Sequence, residues 1–255
     1  MKTESYNPEQ YWSEVAERIK IRENEGTEIA GDDEPYYRYK RNEFLKLLKS
    51  INFEQKKVLE IGCGPGGNLI EISNLNPSKL IGVDISSEMV DLARRNLPEN
   101  IKVLKTNGTK LAFQDKSFDV AFTATVLQHN TNEKKLLELI SEICRVSSER
   151  VFLFERIEKN VHGSELCLGR PISYYSKIMN KNGFDLVHKE HINIRISYYV
   201  CGAIRKLLNP RTRKEGQPLN KISIILQNLT LPFTKKLDKI FKSDYDIAKL
   251  EYKKL

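Results

Sequence analysis

The sequence predicts an α/β fold in which a mostly parallel sheet is covered by helices on both faces. Five short apolar runs are typical of buried strands, and they occupy residues 57–61, 80–84, 101–104, 118–122 and 150–154. Segments with helical spacing of apolar residues separate most of these runs. Because parallel strands need crossover connections, this alternation indicates a parallel sheet. The first run ends in a glycine-rich turn at residues 62–67, where a ligand can approach the backbone closely.

The length and composition suit one globular domain with additions. The chain has 255 residues, enough to bury a sizeable core. No run of about 18 uncharged apolar residues occurs, and the polar N-terminal residues lack the apolar core of a signal peptide. The four cysteines show neither a paired spacing nor a metal-like spacing with histidine. We therefore expect a cytoplasmic protein with reduced thiols and no metal site.

Two helices are predicted before the first strand. An amphipathic segment at about residues 11–19 is followed by a polar break at residues 26–33. The second helix starts at Pro35, which suits a first helical position, and runs to about residue 49. Tyr37 and Arg41 lie four residues apart and so share one face of this helix. Helices within the core are expected at residues 68–75, 87–96, 133–146 and 173–182.

After the fifth apolar run the pattern loosens, and a helical insertion is predicted. A half-exposed strand at residues 184–194 precedes two apolar helical pieces, which are interrupted at Pro210, at residues 216–218 and at Pro232. A final strand is expected within residues 246–254. The expected units are an N-terminal helical cap, a cofactor-binding core, a basic helical insertion or lid, and a returning strand, at residues 1–50, 51–195, 196–242 and 243–255.

The net charge of +8 is concentrated in the insertion. Residues 1–200 hold 29 basic and 29 acidic side chains, whereas residues 202–242 hold 10 basic and 2 acidic ones. This excess suggests an anionic acceptor or a membrane surface in contact with residues 205–242, which also carry an apolar stretch. Nucleic acid is less favoured because aromatic residues do not interleave with the charges. A solvated basic face without a partner remains the alternative. The basic residues involved are Arg205, Lys206, Arg211, Arg213 and Lys214.

The glycine-rich turn has the spacing of a dinucleotide-binding loop. Gly62, Gly64 and Gly67 follow the first predicted strand, and Asp84 ends the second, where a carboxylate can accept ribose hydroxyls. Glu60 precedes the loop by two residues; a carboxylate there favours a ligand with an ammonium group and would repel a pyrophosphate. The glycines have a plainer interpretation as helix–strand packing residues, but Glu60 and Asp84 together favour a cofactor site.

These stretches resemble the class I S-adenosylmethionine-dependent methyltransferases. The resemblance rests on residues 58–67 and 82–86 and continues through residues 111–120, 126–129 and 142–146. It is nearest to small-molecule methyltransferases that include quinone-biosynthesis and sugar- or antibiotic-tailoring enzymes. It implies a Rossmann-like, seven-stranded, mostly parallel sheet with helices on both faces, N-terminal helices and a helical insertion near the C-terminus. It also implies S-adenosyl-L-methionine as cofactor and S-adenosyl-L-homocysteine as product.

The resemblance assigns roles to individual residues. The glycine loop would pass under the methionine part of the cofactor, Asp84 would bind the ribose, and Arg41 would bind the methionine carboxylate. Asn107 replaces an aspartate that is common in relatives at the adenine edge. Cys63, Ile85 and Met89 also have a plain interpretation as core residues, and Tyr37 with Arg41 as a surface stacking pair. The implied cofactor-binding residues are Tyr37, Arg41, Glu60, Gly62, Cys63, Gly64, Gly67, Asp84, Ile85, Met89, Asn107, Gly108 and Thr123.

His129 is the candidate catalytic residue. Methyl transfer is an in-line displacement at an activated carbon, so it needs alignment, and a base only when the acceptor does not ionise by itself. His129 follows the fourth predicted strand, where it would serve as that base or hydrogen-bond a loop. The expected acceptor atom is an oxygen or nitrogen of a small molecule, glycan or lipid-linked compound; RNA methylation is less favoured. An NAD-dependent oxidoreductase and a non-catalytic cofactor-binding protein are the alternatives.

Overall fold

A seven-stranded sheet forms the centre of the computed structural model, which describes residues 6–21, 34–213, 217–244 and 246–255. Its strands are β1 (Lys57–Ile61), β2 (Lys79–Asp84), β3 (Lys102–Lys105), β4 (Phe118–Ala124), β5 (Ser147–Ile157), β8 (Phe184–His191) and β9 (Asp246–Lys254). They are arranged in the order β3-β2-β1-β4-β5-β9-β8, and only the pairings of β9 with β5 and β8 are antiparallel. The predicted mostly parallel sheet is confirmed. A small hairpin, β6 (His162–Ser164) with β7 (Cys167–Gly169), was not predicted.

Eight helices are described around this sheet: α1 (Pro8–Ile21), α2 (Pro35–Lys49), α3 (Gly67–Ser73), α4 (Ser87–Asn96), α5 (Glu133–Val146), α6 (Ile172–Lys181), α7 (Arg195–Leu208) and α8 (Lys221–Ile240). Consecutive strand residues point to opposite layers, so Val58 packs with α2, α3 and α4, whereas Leu59 packs with α5 and α6. Both faces of the sheet are therefore covered, as predicted. α1 lies outside this arrangement and packs on α4 through Val15, Ala16 and Ile19.

Pro232 does not break a helix, contrary to the prediction, because it lies inside α8. Buried residues on both sides of it, Gln227 and Leu231 before it and Thr234 and Asp238 after it, anchor the helix to the protein. These tertiary contacts offset the hydrogen bond that a proline removes from a helix. The predicted interruption at Pro210 is confirmed, since α7 ends at Leu208. The predicted polar break at residues 26–33, together with Lys214 and Gly216, lies outside the described residues.

The buried face of α8 is mainly polar, and hydrogen bonds hold this helix in place. The Asp238 carboxylate accepts from the backbone N–H groups of Ile196 and Ser197 at 2.6 and 3.2 Å and from the Ser197 hydroxyl at 2.5 Å. Gln227 Oε1 accepts from the N–H of Tyr36 at 3.3 Å. Asp238 therefore caps the N-terminus of α7 and fixes α8 against it. No helix in the described ranges is long and apolar enough to cross a membrane.

Replacing Asp238 is expected to loosen the packing of α7 against α8. Asp238→Ala leaves the backbone N–H groups of Ile196 and Ser197 without their acceptor at the start of α7, so we expect the free energy of unfolding to fall by about 2 to 4 kcal/mol. Asp91→Ala is the matched control, because Asp91 makes only an exposed contact with Arg94 at 3.9 Å and should change stability by less than about 0.5 kcal/mol. Urea denaturation of both variants measures the difference. Equal stabilities would show that this cap contributes nothing.

Candidate cofactor and acceptor site

The loop between β1 and α3 approaches its neighbours so closely that only glycine fits. Gly62 and Gly64 have φ angles of +71° and +51°, in the left-handed region that glycine tolerates best. A Cβ atom on Gly62 would lie 2.3 Å from Cγ2 of Val126, in the turn after β4. At Gly64, by contrast, a Cβ atom would meet no described heavy atom within 4 Å. The loop is therefore pressed against the β4 turn on one side and open on the other.

A cavity of about 1030 Å³ lies along this open side, at the carboxyl ends of β1, β2 and β4. This is where ligands bind in open parallel sheets, beside the point at which the strand order reverses. Glu60, Gly67 and Thr123 are not part of its wall. The predicted site residues that do line it are Tyr37, Arg41, Gly62, Cys63, Gly64, Asp84, Ile85, Met89, Asn107, Gly108 and His129.

Asp84 joins the glycine loop to the N-terminus of α4. Its carboxylate oxygens accept from the backbone N–H of Gly64 and from that of Ser86, each at 2.9 Å. Burial raises the pKa of Asp84, while these N–H donors lower it by stabilising the charged form. Ser86 in turn caps α4 by accepting from the N–H of Met89 at 3.1 Å. The carboxylate is thus held in a fixed place on the cavity wall.

Glu60 lies fully buried behind the loop with one oxygen unsatisfied. Asn68 Nδ2 donates to Glu60 Oε1 at 2.6 Å, and the Arg41 guanidinium donates to Asn68 Oδ1. Glu60 Oε2 has no hydrogen-bond partner among the described residues. Burial raises the pKa of Glu60 to about 8, although Asn68 and Arg41 both lower it. A buried acceptor of this kind suits a cation bound near the loop, so the site fits a cofactor that carries an ammonium group.

The adenine side of the predicted site is formed by α4 and the turn after β3. Ile85 and Gly108 are in close contact there, since a Cβ atom on Gly108 would lie 2.7 Å from Ile85 Cδ1. Met89 lines the cavity and also packs against α1. Asn107 Oδ1 accepts from the backbone N–H groups of Thr109 and Lys110 at 3.0 and 2.8 Å. That oxygen closes the turn, which leaves the amide nitrogen of Asn107 as the group suited to a base edge.

α2 contributes Tyr37 and Arg41 to the opposite wall. Arg41 binds Asn68 and lies 5.2 Å from the ring centre of Phe44, and a different arginine, Arg205, stacks on Tyr37 at 4.8 Å. Both residues line the cavity, and Arg41 lies next to the glycine loop. The alternative of a surface stacking pair is therefore disfavoured.

Thr123 is directed away from the cavity, and the reason is a buried carboxylate that the sequence did not reveal as a site residue. The Thr123 hydroxyl donates to Glu155 Oε1 at 2.8 Å, and the backbone N–H groups of Val126 and Gln128 donate to the same carboxylate at 3.1 Å each. The sequence places both Thr123 and Thr125 at this end of β4, and of the two only Thr125, with a φ of +59°, lines the cavity. The only sequence signal was an acidic residue at the end of the apolar run of β5.

Arg170 holds the same turn from its carbonyl side. It is 1% exposed and donates to the carbonyl oxygens of Leu127 and Asn130 at 2.8 and 2.9 Å. Glu155 binds the N–H groups of this turn and Arg170 its carbonyls, so the backbone between them is fixed at both ends. Nothing in the sequence pattern identified Arg170, because its contacts are made across 40 or more residues.

His129 lies on this turn and has a defined tautomer. His129 Nδ1 lies 2.8 Å from the carbonyl oxygen of Leu166, and Nε2 lies 3.2 Å from Nε2 of Gln128. Gln128 Oε1 accepts from the N–H of Arg156 at 3.0 Å, which fixes the orientation of its amide. A carbonyl only accepts, so Nδ1 of the neutral ring carries the proton and Nε2 is the basic atom. His129 thus lines the cavity and binds a loop, as both predicted roles require.

The rest of the cavity wall combines five aromatic side chains and two ion pairs with further polar groups, among them Arg195 and Lys135. Lys40 binds Asp246 at 3.1 Å, and Arg156 binds Glu158 at 2.6 Å. These two cations are matched by carboxylates. An apolar compound with one polar group suits such a wall. The aromatic residues are Trp12, Tyr37, Phe44, Tyr198 and Tyr199.

Comparison with known proteins agrees with this geometry. Residues 58–149 match a family model described as a methyltransferase domain. The chain is 27% identical over 197 residues to the sterol 24-C-methyltransferase of Pneumocystis carinii, which covers 66% of this chain and 51% of that protein. It is 28% identical over 98 residues to an O-methyltransferase of Aspergillus nomiae, which covers 36% of this chain and 44% of that protein. The chain thus spans about half the length of these curated relatives.

The fold has relatives among solved structures. The magnesium protoporphyrin IX methyltransferase of Synechocystis PCC 6803, solved with bound S-adenosylhomocysteine, superposes with a TM-score of 0.60. The match covers 97% of this chain and 98% of that one at 14% identity, so it speaks for the fold alone. The predicted Rossmann-like sheet with its accompanying helices is confirmed.

The buried carboxyl of Glu60 is expected to make stability depend on pH. Its pKa of about 8 in the folded protein lies above the ordinary value of 4.5, so between these limits the folded state holds more protons than the unfolded state. The free energy of unfolding should therefore fall as the pH rises from 5 to 8, by on the order of 3 kcal/mol from this group.

Chemical denaturation across this pH range measures the effect. Glu60→Gln keeps an acceptor for Asn68 and should flatten the profile, whereas the exposed control Glu138→Gln should reproduce the wild-type slope. Parallel profiles for wild type and Glu60→Gln would rule out a raised pKa at this position.

Proposed function

Since the chain contains a class I S-adenosylmethionine-dependent methyltransferase domain, we propose that it transfers the cofactor's methyl group to an oxygen or nitrogen atom of a small, largely apolar acceptor. The observation that carries the proposal is that one cavity joins the glycine loop and Asp84 to an aromatic wall. The cofactor end and the acceptor end are continuous, as a direct transfer between two bound molecules requires. In this proposal the N-terminal helices and α7 with α8 form the two sides that close over the acceptor.

The residues around the glycine loop would hold the cofactor. Backbone N–H groups of the loop would face the methionine part, and Asp84 would accept hydrogen bonds from the ribose hydroxyls. The Glu60 carboxyl, whose pKa is raised to about 8, would favour the ammonium group by giving up its proton when the cation binds. Ile85 and Met89 supply the apolar contact for the adenine. When bound, the cofactor supplies a methyl group on a positively charged sulfur, which needs no further activation. The protein contributes alignment and exclusion of water.

His129 would accept the acceptor's proton at Nε2. The bond from Nδ1 to the Leu166 carbonyl keeps the proton on the far side of the ring and stabilises the imidazolium that forms. Glu155 and Arg170 act as positioning residues, because they hold the turn on which His129 lies. In this mechanism the Gln128 amide moves from Nε2 when the acceptor hydroxyl or amine takes its place.

The wall of the cavity favours an apolar or lipid-linked acceptor over a strongly anionic one. Arg205 and Arg213, which the charge pattern suggested as anion-binding residues, both pair with the buried Glu34, Arg205 at 3.5 Å. Aromatic side chains dominate the acceptor end, and one relative is named as a sterol methyltransferase.

Binding of the cofactor by Asp84 separates this proposal from its alternatives. Calorimetry with S-adenosylhomocysteine should give binding that Asp84→Asn weakens at least about tenfold, because one carboxylate oxygen becomes a donor opposite an N–H group. Asp91→Asn, on the exposed face of α4, should bind like wild type. No heat should be seen with NAD. Binding of NAD in place of S-adenosylhomocysteine would instead support an oxidoreductase.

The role of His129 is tested with methyl-labelled cofactor and a panel of sterols, phenols and quinols. His129→Ala should lower kcat by about 10²- to 10⁴-fold, as expected for a lost general base, and leave the affinity for S-adenosylhomocysteine unchanged. His188→Ala, an exposed residue on β8, is the control. Undiminished turnover by His129→Ala across pH would remove this residue from the mechanism. Cofactor binding without turnover on any acceptor would favour a non-catalytic binding protein.

A further inference from the structure

The outward face of α8 is apolar, the reverse of the usual arrangement in a soluble protein. Its residues Ile222, Ile225, Leu229, Phe233 and Ile240 are 58%, 56%, 62%, 70% and 70% exposed, and we call them the outer face of α8. They recur at a helical period and extend about 27 Å along the helix axis. Contiguous exposed apolar surface of this kind marks a site of interaction with a protein or a membrane.

This orientation is fixed by the polar inner face of the helix. Ser223 accepts from Asn209 Nδ2 at 3.2 Å, Gln227 accepts from the N–H of Tyr36 and Asp238 caps α7. Turning the apolar side inward would break these bonds and bury charged and amide groups without partners. The outer face is therefore held towards the surroundings by the fold itself.

Basic residues accompany the outer face. Lys221, Lys236 and Lys239 are exposed on α8, and Lys242 follows it, whereas Asp238 is the only acidic residue of the helix and is fully buried. An apolar stripe with lysines beside it is the pattern of a helix that lies in the interface of an anionic bilayer. A second copy of this chain fits less well, because a twofold pairing of α8 would bring the same lysines towards each other.

The neighbouring helix connects this surface to the cavity. α7 packs along α8 and exposes Leu207 and Tyr199, which are 82% and 62% exposed. Tyr199 and Tyr198, both at the start of α7, also line the cavity. A surface that contacts a bilayer through α7 and α8 would therefore lie beside the entrance of the acceptor end.

We propose that α7 and α8 dock the protein in the plane of an anionic membrane surface and that an apolar acceptor enters the cavity from the bilayer past Tyr198 and Tyr199. The docking stands on the outer face of α8 and its lysines, whereas the entry of an acceptor rests on the methyltransferase function proposed above. Docking in this form requires no spanning helix.

Flotation of the purified 255-residue chain with vesicles tests the docking. Vesicles of phosphatidylcholine with phosphatidylglycerol should carry the protein at low salt, and vesicles of phosphatidylcholine alone should bind it at least about tenfold less. The triple variant Ile225→Glu, Leu229→Glu, Phe233→Glu should lose binding by at least about tenfold. The matched control, Leu137→Glu, Val161→Glu, Val187→Glu, changes three exposed apolar residues elsewhere, which are 41%, 53% and 51% exposed, and should bind like wild type.

Two further measurements keep the outcomes distinct. Circular dichroism checks that both triple variants fold. Calorimetry with S-adenosylhomocysteine tests cofactor binding separately: a wild-type protein that binds vesicles but not the cofactor would uphold docking and reject the methyltransferase function. Analytical ultracentrifugation reports self-association. The docking proposal is overturned if wild type ignores the anionic vesicles, if the α8 triple variant still floats, or if wild type is a dimer that the α8 variant converts to a monomer.

Discussion

The buried carboxylate of Glu155 is the contact on which the geometry of the cavity most depends. It accepts from Thr123, Val126 and Gln128 and so holds the turn after β4 close to the glycine loop. Val126 on that turn is the residue that excludes any side chain at Gly62. The spacing between the two loops, and with it the place of His129, follows from this one group together with Arg170 on the carbonyl side.

Three buried carboxylates lie on or behind the cofactor end of the cavity wall. Glu60 lies on β1, Asp84 on β2 and Glu155 on β5, and burial raises the pKa of each. Hydrogen-bond donors hold all three, but Glu60 keeps one oxygen unsatisfied. A ligand with positive charge on a sulfonium and an ammonium group lowers the electrostatic energy of such an arrangement, whereas a pyrophosphate raises it. These residues therefore support the cofactor assignment proposed above.

Local patterns in the sequence predicted the sheet and the cofactor loop, while long-range contacts decided the rest. The apolar runs and the spacing of the glycines are patterns within a few residues of each other, so β1, α3 and the position of Asp84 could be predicted from the sequence. The direction of Thr123 could not, because it depends on Glu155, 32 residues later. The continuation of α8 through Pro232 likewise depends on anchors in other elements. The role of Asn107 was predicted from its type, but its oxygen is used to close its own turn.

The inverted α8 links the acceptor to the surroundings of the protein. Helical periodicity located the apolar residues of this segment. It did not predict whether they face the core or the surroundings, because polar contacts with other elements determine the orientation of the helix. Asp238 and Gln227 turn the helix so that its apolar side points outward, and the same bonds hold α7 against the cavity. A substitution that relaxes these bonds would alter both the outer surface and the acceptor wall. The proposed docking surface and the proposed acceptor wall are therefore coupled through one set of buried polar contacts.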